Sequence, residues 1–273
     1  MTHHYFDHAL ASLSYYKFGK GEKVMLCFHG YGMHGKQFKI LEEQLGEKYT
    51  FYGLDLFFHK ETKLKNESLE AVKTGISKKE LVAFIIDFCE HVKINKFSLL
   101  SYSMGTHYAT AIAEEIPEKV EEFIAVAPSI LNPGRLVTFF SQRKSGNKIL
   151  ERLVLSEKAL VSMLKWSRKF KFVDDIGYQI LMKEIGTKEL RFSFYACFIY
   201  LRFLAIDETR LLEALNEHPI KSVFIFGKRD LMYPPKIGDS FLAKLKDAKV
   251  LVLDENHEII NQNFALALTE ILI

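Results

Sequence analysis

One stretch constrains this chain more than any other: Phe97-Ser98-Leu99-Leu100-Ser101-Tyr102-Ser103-Met104-Gly105. An apolar run short enough for a buried strand enters a small-x-Ser-x-Gly turn, and helical periodicity follows from Met104 to Ile116. A turn of this kind holds its serine on a tight, strained corner with the hydroxyl projecting beyond the sheet edge. Positions two before and two after the serine must be small, because strand and helix backbones crowd there. Ser101 and Gly105 meet that need, so Ser103 is the candidate nucleophile.

A serine hydroxyl needs a base to take its proton, and the base needs an acid to fix its tautomer and stabilise the imidazolium. Candidates for both stand just past later apolar runs. Ser222-Val223-Phe224-Ile225-Phe226 leads to Gly227-Lys228-Arg229-Asp230, and Lys249-Val250-Leu251-Val252-Leu253 leads to Asp254-Glu255-Asn256-His257. Loops beyond the strand ends are where open parallel sheets place their sites. Asp230 is therefore the expected acid and His257 the expected base. Asp254 and Glu255 share the histidine's own loop and read as solvated. An earlier run, Val24-Met25-Leu26-Cys27-Phe28, precedes His29-Gly30-Tyr31-Gly32. Acyl transfer builds negative charge on a substrate oxygen, which backbone N–H groups stabilise when they are held in place beforehand. The elbow architecture takes one such donor from the residue after the nucleophile and another from the early loop, here the amides of Met104 and Tyr31. His29 is expected to pack behind that loop. His34 and Tyr102 are candidates for the wall of a substrate pocket.

These pieces together resemble the α/β-hydrolase fold superfamily. They are His29-Gly30-Tyr31-Gly32, Asp55-Leu56 after the next strand, Ser101-Tyr102-Ser103-Met104-Gly105, Gly227-Lys228-Arg229-Asp230 with Pro234, and His257. The resemblance runs over nearly the whole chain. It implies a mostly parallel sheet covered by helices on both faces, an inserted helical cap, and serine-hydrolase chemistry without a cofactor. Two positions depart from the pattern: serine opens the elbow, and Thr106 stands where many relatives have glycine.

The order of predicted elements agrees. Ala11–Phe18 reads as an edge strand, Lys23–Phe28 and Phe51–Leu56 as strands, and Gly35–Leu45 as a helix. Phe57–Ser77 is mixed and charged and reads as a loop. Ser77 with Glu80 forms a capping-box pattern before Leu81, Phe84, Ile85, Phe88 and Val92 at helical spacing. Strand and helix alternate until about Leu131, then helical patterns replace them as far as Leu215. The expected organisation is a core of residues 1–130 and 216–273 carrying a cap over 131–215, with helices near Gly134–Arg143, Ile149–Leu155, Lys158–Phe170, Asp174–Glu184 and Leu190–Leu204. The last of these is aromatic-rich. Phe194 and Phe198 are its candidate pocket residues, favouring a small-molecule substrate with a hydrophobic acyl or aromatic part.

Arg143, Lys144, Lys148, Lys165, Arg168, Lys169 and Lys171 alternate with aromatic and aliphatic residues. The ordinary reading is a solvated helix face; peripheral contact with an anionic membrane or attraction of an acidic substrate is the alternative. No nucleic-acid module is recognisable. A net charge of +3, three cysteines without CxxC spacing, no transmembrane run and no secretory leader make a cytoplasmic protein the expectation. His3, His4 and His8 read as part of a flexible N-terminus, and His59 has no second imidazole or thiol at ligand spacing, so no metal site is expected. Carboxylic ester hydrolysis leads the functional reading. A lyase or elimination catalyst of the same fold, similar to relatives acting on menaquinone precursors, and a binder of hydrophobic ligands with little turnover are the alternatives.

Overall fold

The computed structural model describes residues 1–132, 134–169, 178, 182 and 186–272. Its chain divides into two compact units. One comprises Met1–Asn66, Ile76–Asn132 and Leu204–Ile273; the other comprises Glu67–Gly75 and Pro133–Phe203.

The first unit is built on a nine-stranded sheet. Its strands are β1 (Thr2–Asp7), β2 (Ala11–Gly19), β3 (Lys23–Phe28), β4 (Tyr49–Leu54), β5 (Lys63–Leu64), β6 (Phe97–Tyr102), β7 (Val120–Val126), β8 (Lys221–Gly227) and β9 (Ala248–Leu253). They lie in the order β1-β2-β4-β3-β6-β7-β8-β9, with β5 paired to β2. Pairings from β4 through β9 are parallel, and those of β2 with β1, β4 and β5 are antiparallel. Parallel strands covered on both faces need apolar residues throughout rather than in alternation. β6 meets this: all six of its residues are buried. Its two serines satisfy their hydroxyls internally, Ser98 on the Glu122 carboxylate at 2.8 Å and Ser101 on the Ile124 carbonyl at 3.1 Å.

Register then decides where the loops emerge. Phe28 pairs with Ser101, Tyr102 with Val126, Val126 with Ile225, and Gly227 with Leu253. The carboxyl ends of β3, β6, β7, β8 and β9 therefore finish level, and the loops after them share one edge. Among the helices of this unit, α1 (Glu42–Leu45) follows a 3-10 turn over Gly35–Leu41. Helix α3 (Lys78–His91) opens on the expected capping box: the Ser77 hydroxyl accepts from Glu80 N–H, and Glu80 accepts from Ser77 N–H at 2.9 Å. Helix α4 (Thr106–Glu115) runs on from a 3-10 turn over Ser103–Gly105. Later come α9 (Glu208–Glu217), α10 (Asp239–Leu242) and α11 (Gln262–Leu272).

Three expectations differ from what is found. β2 is not an edge strand, because β1 pairs outside it over six residues from Thr2↔Lys17 to Asp7↔Ser12. Residues 57–77 are not all loop: β5 and helix α2 (Leu69–Thr74) lie there. Finally, residues 204–215 fold with the sheet, and 67–75 fold with the helical unit. The latter has a physical cause: the Arg202 guanidinium donates to the Lys73 and Thr74 carbonyls at 2.6 and 3.2 Å, satisfying the C-terminal end of α2. Lys73 also pairs with Glu151 at 2.7 Å. Around α2 the helical unit contains α5 (Arg135–Gln142), α6 (Lys144–Leu155), α7 (Glu157–Lys169) and α8 (Lys188–Tyr200). The helix expected over Asp174–Glu184 lies outside the described residues, apart from Tyr178 and Met182. Among the described residues, no helix is long and apolar enough to cross a membrane.

Candidate active site

Ser103 sits where β6 gives way to α4, with φ of 50° and 8% exposure. A non-glycine residue in the left-handed region is strained unless its surroundings enforce the conformation. Here two hydroxyls enforce it. Thr106 Oγ1 and Ser129 Oγ both donate to the Ser103 carbonyl, at 2.6 and 2.9 Å. Thr106, one of the two departures from the family pattern, thus helps hold the strained residue. Gly105 has no substitute. A β-carbon there would lie 2.1 Å from the Phe28 carbonyl oxygen, where α4 crosses the end of β3.

The serine hydroxyl lies 3.1 Å from His257 Nε2, and His257 Nδ1 lies 2.7 Å from Asp230 Oδ2. Asp230 is 1% exposed. Its other oxygen accepts the amides of Met232 and Tyr233, at 2.8 and 3.0 Å. Burial by itself would push this carboxyl up. The hydrogen bonds from His257 and the two amides outweigh it and hold the group below its ordinary range. An ionised Asp230 accepts only, so the imidazole proton sits on Nδ1 and Nε2 turns a lone pair towards the serine. An alcohol held this way can lose its proton as it attacks a carbonyl.

Tyr102 differs from its expected place on a pocket wall. It is 3% exposed, and its hydroxyl donates to the His257 carbonyl at 2.7 Å. Its ring centroid lies 5.4 Å from the imidazole, and that of Tyr233 lies 5.5 Å away on another element. The tyrosines therefore hold the histidine, a role that sequence separations of 155 and 24 residues conceal. Asp254 and Glu255 stay away from the imidazole: Asp254 pairs with Arg229 at 3.2 Å, and Glu255 accepts from Asn263 at 2.8 Å.

The loop after β3 makes a tight turn. Met33 N–H donates to the Gly30 carbonyl at 3.2 Å, and Gly32 takes φ of 75° as its third residue. A β-carbon on Gly30 would come within 2.8 Å of the Tyr102 ring and 3.4 Å of Ser103 Cβ, so this backbone abuts the serine. Tyr31 follows it. Met104 occupies the first turn after the serine, where N–H groups have no acceptor within the helix. His34 precedes the 3-10 turn in extended backbone, half-buried, and burial lowers its pKa.

His29 and His59 are both enclosed. His29 Nδ1 bonds the Gly30 carbonyl at 2.7 Å and Nε2 accepts from Leu56 N–H at 2.9 Å. His59 Nδ1 bonds the Phe57 carbonyl at 2.9 Å and Nε2 accepts from Gly32 N–H at 3.0 Å. Their rings stand edge to face at 5.0 Å, so His59 does have an imidazole neighbour, but all four ring nitrogens bond backbone. Desolvation pushes His29 well below the ordinary range and His59 down to about 4. Asp55, equally buried, accepts from Gly35 N–H and Ser14 Oγ and so ties the same loop to β2. Among the described residues no group of three or more His, Cys, Asp or Glu side chains is arranged to hold a metal ion.

Phe194 and Phe198 belong to the helical unit. They are one turn apart on α8, half-buried, with ring centroids 4.9 Å apart. Arg143, Lys144, Lys148, Lys165, Arg168 and Lys169 are exposed on α6, α7 and the residue before α6, while Lys171 lies outside the described residues. All three cysteines are buried thiols.

Residues 23–263 match the family model of the alpha/beta hydrolase fold, and the chain belongs to that family. Among curated proteins it is similar to one of Mycoplasma genitalium named "Putative esterase/lipase 2", with 25% identity over 244 residues, 86% of this chain and 82% of the relative. Solved structures share the fold at lower identity. The thioesterase domain from the curacin biosynthetic pathway is 18% identical, with a TM-score of 0.67 over 99% of this chain and 98% of that one. A thermophilic esterase from Thermogutta terrifontis is 17% identical, with a TM-score of 0.64 over 100% and 98%.

Proposed function

We propose that this protein is a serine hydrolase cleaving an ester-like bond, a carboxylic ester first among them, in a small substrate with a hydrophobic acyl or aromatic part. The observation that carries the reading is the chain of contacts Ser103 Oγ to His257 Nε2 to a buried, multiply hydrogen-bonded Asp230, at 3.1 and 2.7 Å. The name of the Mycoplasma genitalium relative points to the same class of reaction.

In this mechanism His257 takes the Ser103 proton as Oγ attacks the carbonyl carbon, and Asp230 stabilises the imidazolium. The amides of Tyr31 and Met104 donate to the oxygen that becomes negative. Collapse of the tetrahedral species breaks the bond to the alcohol, which leaves with the proton from Nε2. Water then gives a proton to His257 while attacking the acyl carbon, and the acid departs as Ser103 regains its hydrogen.

Hydrolysis of p-nitrophenyl esters from acetate to palmitate tests this, comparing the parent protein with Ser103→Ala alongside fluorophosphonate labelling. Turnover and labelling are expected in the parent and absent in the variant. Undiminished turnover in Ser103→Ala, or a folded parent inert to both reagents, overturns the proposal.

A further inference from the structure

We infer that His59 is a positioning residue for the oxyanion loop, locking the Gly30–Met33 turn through the Gly32 N–H; this rests on the serine-hydrolase reading above. Three independent observations lead here.

The first is reciprocity. Two loops, after β3 and after β4, each send a histidine into the other. His29 from the first accepts from Leu56 of the second, and His59 from the second accepts from Gly32 of the first. Each ring has its Nδ1 on a carbonyl of its own loop, at 2.7 and 2.9 Å, which fixes the tautomer and leaves Nε2 as acceptor. The two loops are thereby cross-braced.

The second is strain. Phe58 and Lys60, the residues on either side of His59, both have positive φ, 64° and 48°. Two left-handed side-chain-bearing residues flanking one histidine are conformations that local preference opposes, and they persist only where the surroundings require them. Their effect is to turn His59 inward, to 6% exposure, with Nε2 on Gly32.

The third is the kind of turn. With φ of 75° at Gly32 as its third residue and Met33 N–H on the Gly30 carbonyl, the turn is of type II. Types I and II differ by a flip of the central peptide, here the one joining Tyr31 to Gly32. The Gly32 N–H belongs to that peptide, so an acceptor on it selects between the two forms. A β-carbon on Gly30 would lie 3.4 Å from Ser103 Cβ, so the turn starts beside the nucleophile and a flip would disturb backbone there. Burial supports the assignment by keeping the ring neutral, which preserves the lone pair that accepts.

An oxyanion role makes a prediction that a purely structural role does not. Oxygen esters develop a negative oxygen that amides stabilise well, whereas thionoesters develop a negative sulfur that they stabilise poorly. The test uses the full chain with matched p-nitrophenyl ester and thionoester, in the parent, His59→Leu and His59→Gln. His59→Leu should lose about 100-fold in kcat on the oxygen ester, the size typical of one oxyanion donor, with KM little changed. Its oxygen-to-sulfur rate ratio should fall by a similar factor. His59→Gln, which can still accept the Gly32 N–H, should remain within about fivefold, since the acceptor is what the argument requires. Should His59→Leu fold poorly, amide exchange in the parent serves: Gly32 N–H must be protected.

An unchanged oxygen-to-sulfur ratio in folded His59→Leu, equal losses on both substrates, or an unprotected Gly32 amide overturns the inference while leaving the hydrolase reading intact. A parent without ester turnover removes both.

Discussion

Acidification from pH 7 to pH 5 should destabilise the sheet unit through His29 and His59, and the size follows from their burial. Both rings are nearly inaccessible, at 0% and 6% exposure, and both use Nε2 as an acceptor. Protonation would replace that lone pair with a second donor facing an N–H, so the folded protein resists it. His59 is held down to about 4, and His29 well below the ordinary 6.5. The unfolded chain has no such restraint and takes up both protons as pH falls through 6.5. Unfolded protein therefore binds more protons in this window, so stability is fully present above 6.5 and is lost progressively towards 4. For His59, with these two values, the loss from pH 7 to 5 is about 2 kcal/mol, and His29 adds to it in the same direction. Against a typical total of about 5–15 kcal/mol that is large. Burial raises Glu114, which works in the opposite sense, so a difference measurement is needed. Urea unfolding of the parent and His59→Gln at both pH values supplies it. Far-UV circular dichroism is the appropriate signal, because the single tryptophan, Trp166, belongs to the helical unit. The variant should lose about 2 kcal/mol less than the parent on going to pH 5. Equal losses in the two proteins, or a folded-state His59 resonance titrating near 6.5, would refute the reasoning.

Other outcomes follow from single contacts. Asp230→Asn should keep the Met232 and Tyr233 amide bonds yet favour the wrong imidazole tautomer, lowering kcat on an ester by about 10⁴-fold, with a circular dichroism spectrum like the parent's. Retention of parental rates would mean the acid lies elsewhere. Gly105→Ala forces a β-carbon to 2.1 Å from a backbone oxygen that cannot yield independently. It should cost more than about 3 kcal/mol in urea unfolding or prevent soluble expression, and a neutral effect would contradict the packing described. Tyr102→Phe removes the hydroxyl on the His257 carbonyl and should cost about 1 kcal/mol of stability together with a fall in kcat that exceeds any change in KM. A change confined to KM would instead restore Tyr102 to the substrate pocket.

What could be read from the sequence was whatever is local. The apolar run of β6, the need for a small residue at Gly105, and the capping box at Ser77 each depend on neighbours within a few residues. Loops holding Asp230 and His257 were legible because each follows its own strand, and parallel register brings strand ends together. Less local features escaped. β1 reads as a loose terminus because only Phe6 of its six residues is buried, which leaves little alternation to detect. Its order comes from pairing with β2. His59 looked isolated because the imidazole beside it, His29, lies 30 residues back and the Gly32 amide 27 back, both reached through two left-handed residues that are not glycine. Tyr102 reads as a pocket residue from sequence for a related reason: its hydrogen bond to the His257 carbonyl spans 155 residues. Helix α2 is short and is completed by Arg202, far along the chain, so no local signal marks the unit to which it belongs.

Tyr102 and Ser103 are consecutive, and both reach His257, one to its carbonyl and one to its imidazole. A single dipeptide therefore works as a calliper, gripping the histidine residue at two points with jaws at the last residue of one strand and the first of the turn after it. The spacing between hydroxyl and imidazole is gauged by β6, and the connection running from β9 to α11 serves as a tether. That tether is itself pinned at Ile259, whose side chain is buried in the core and whose N–H donates to the same His257 carbonyl at 2.8 Å, so only insertions beyond this residue would lengthen the tether without resetting the calliper.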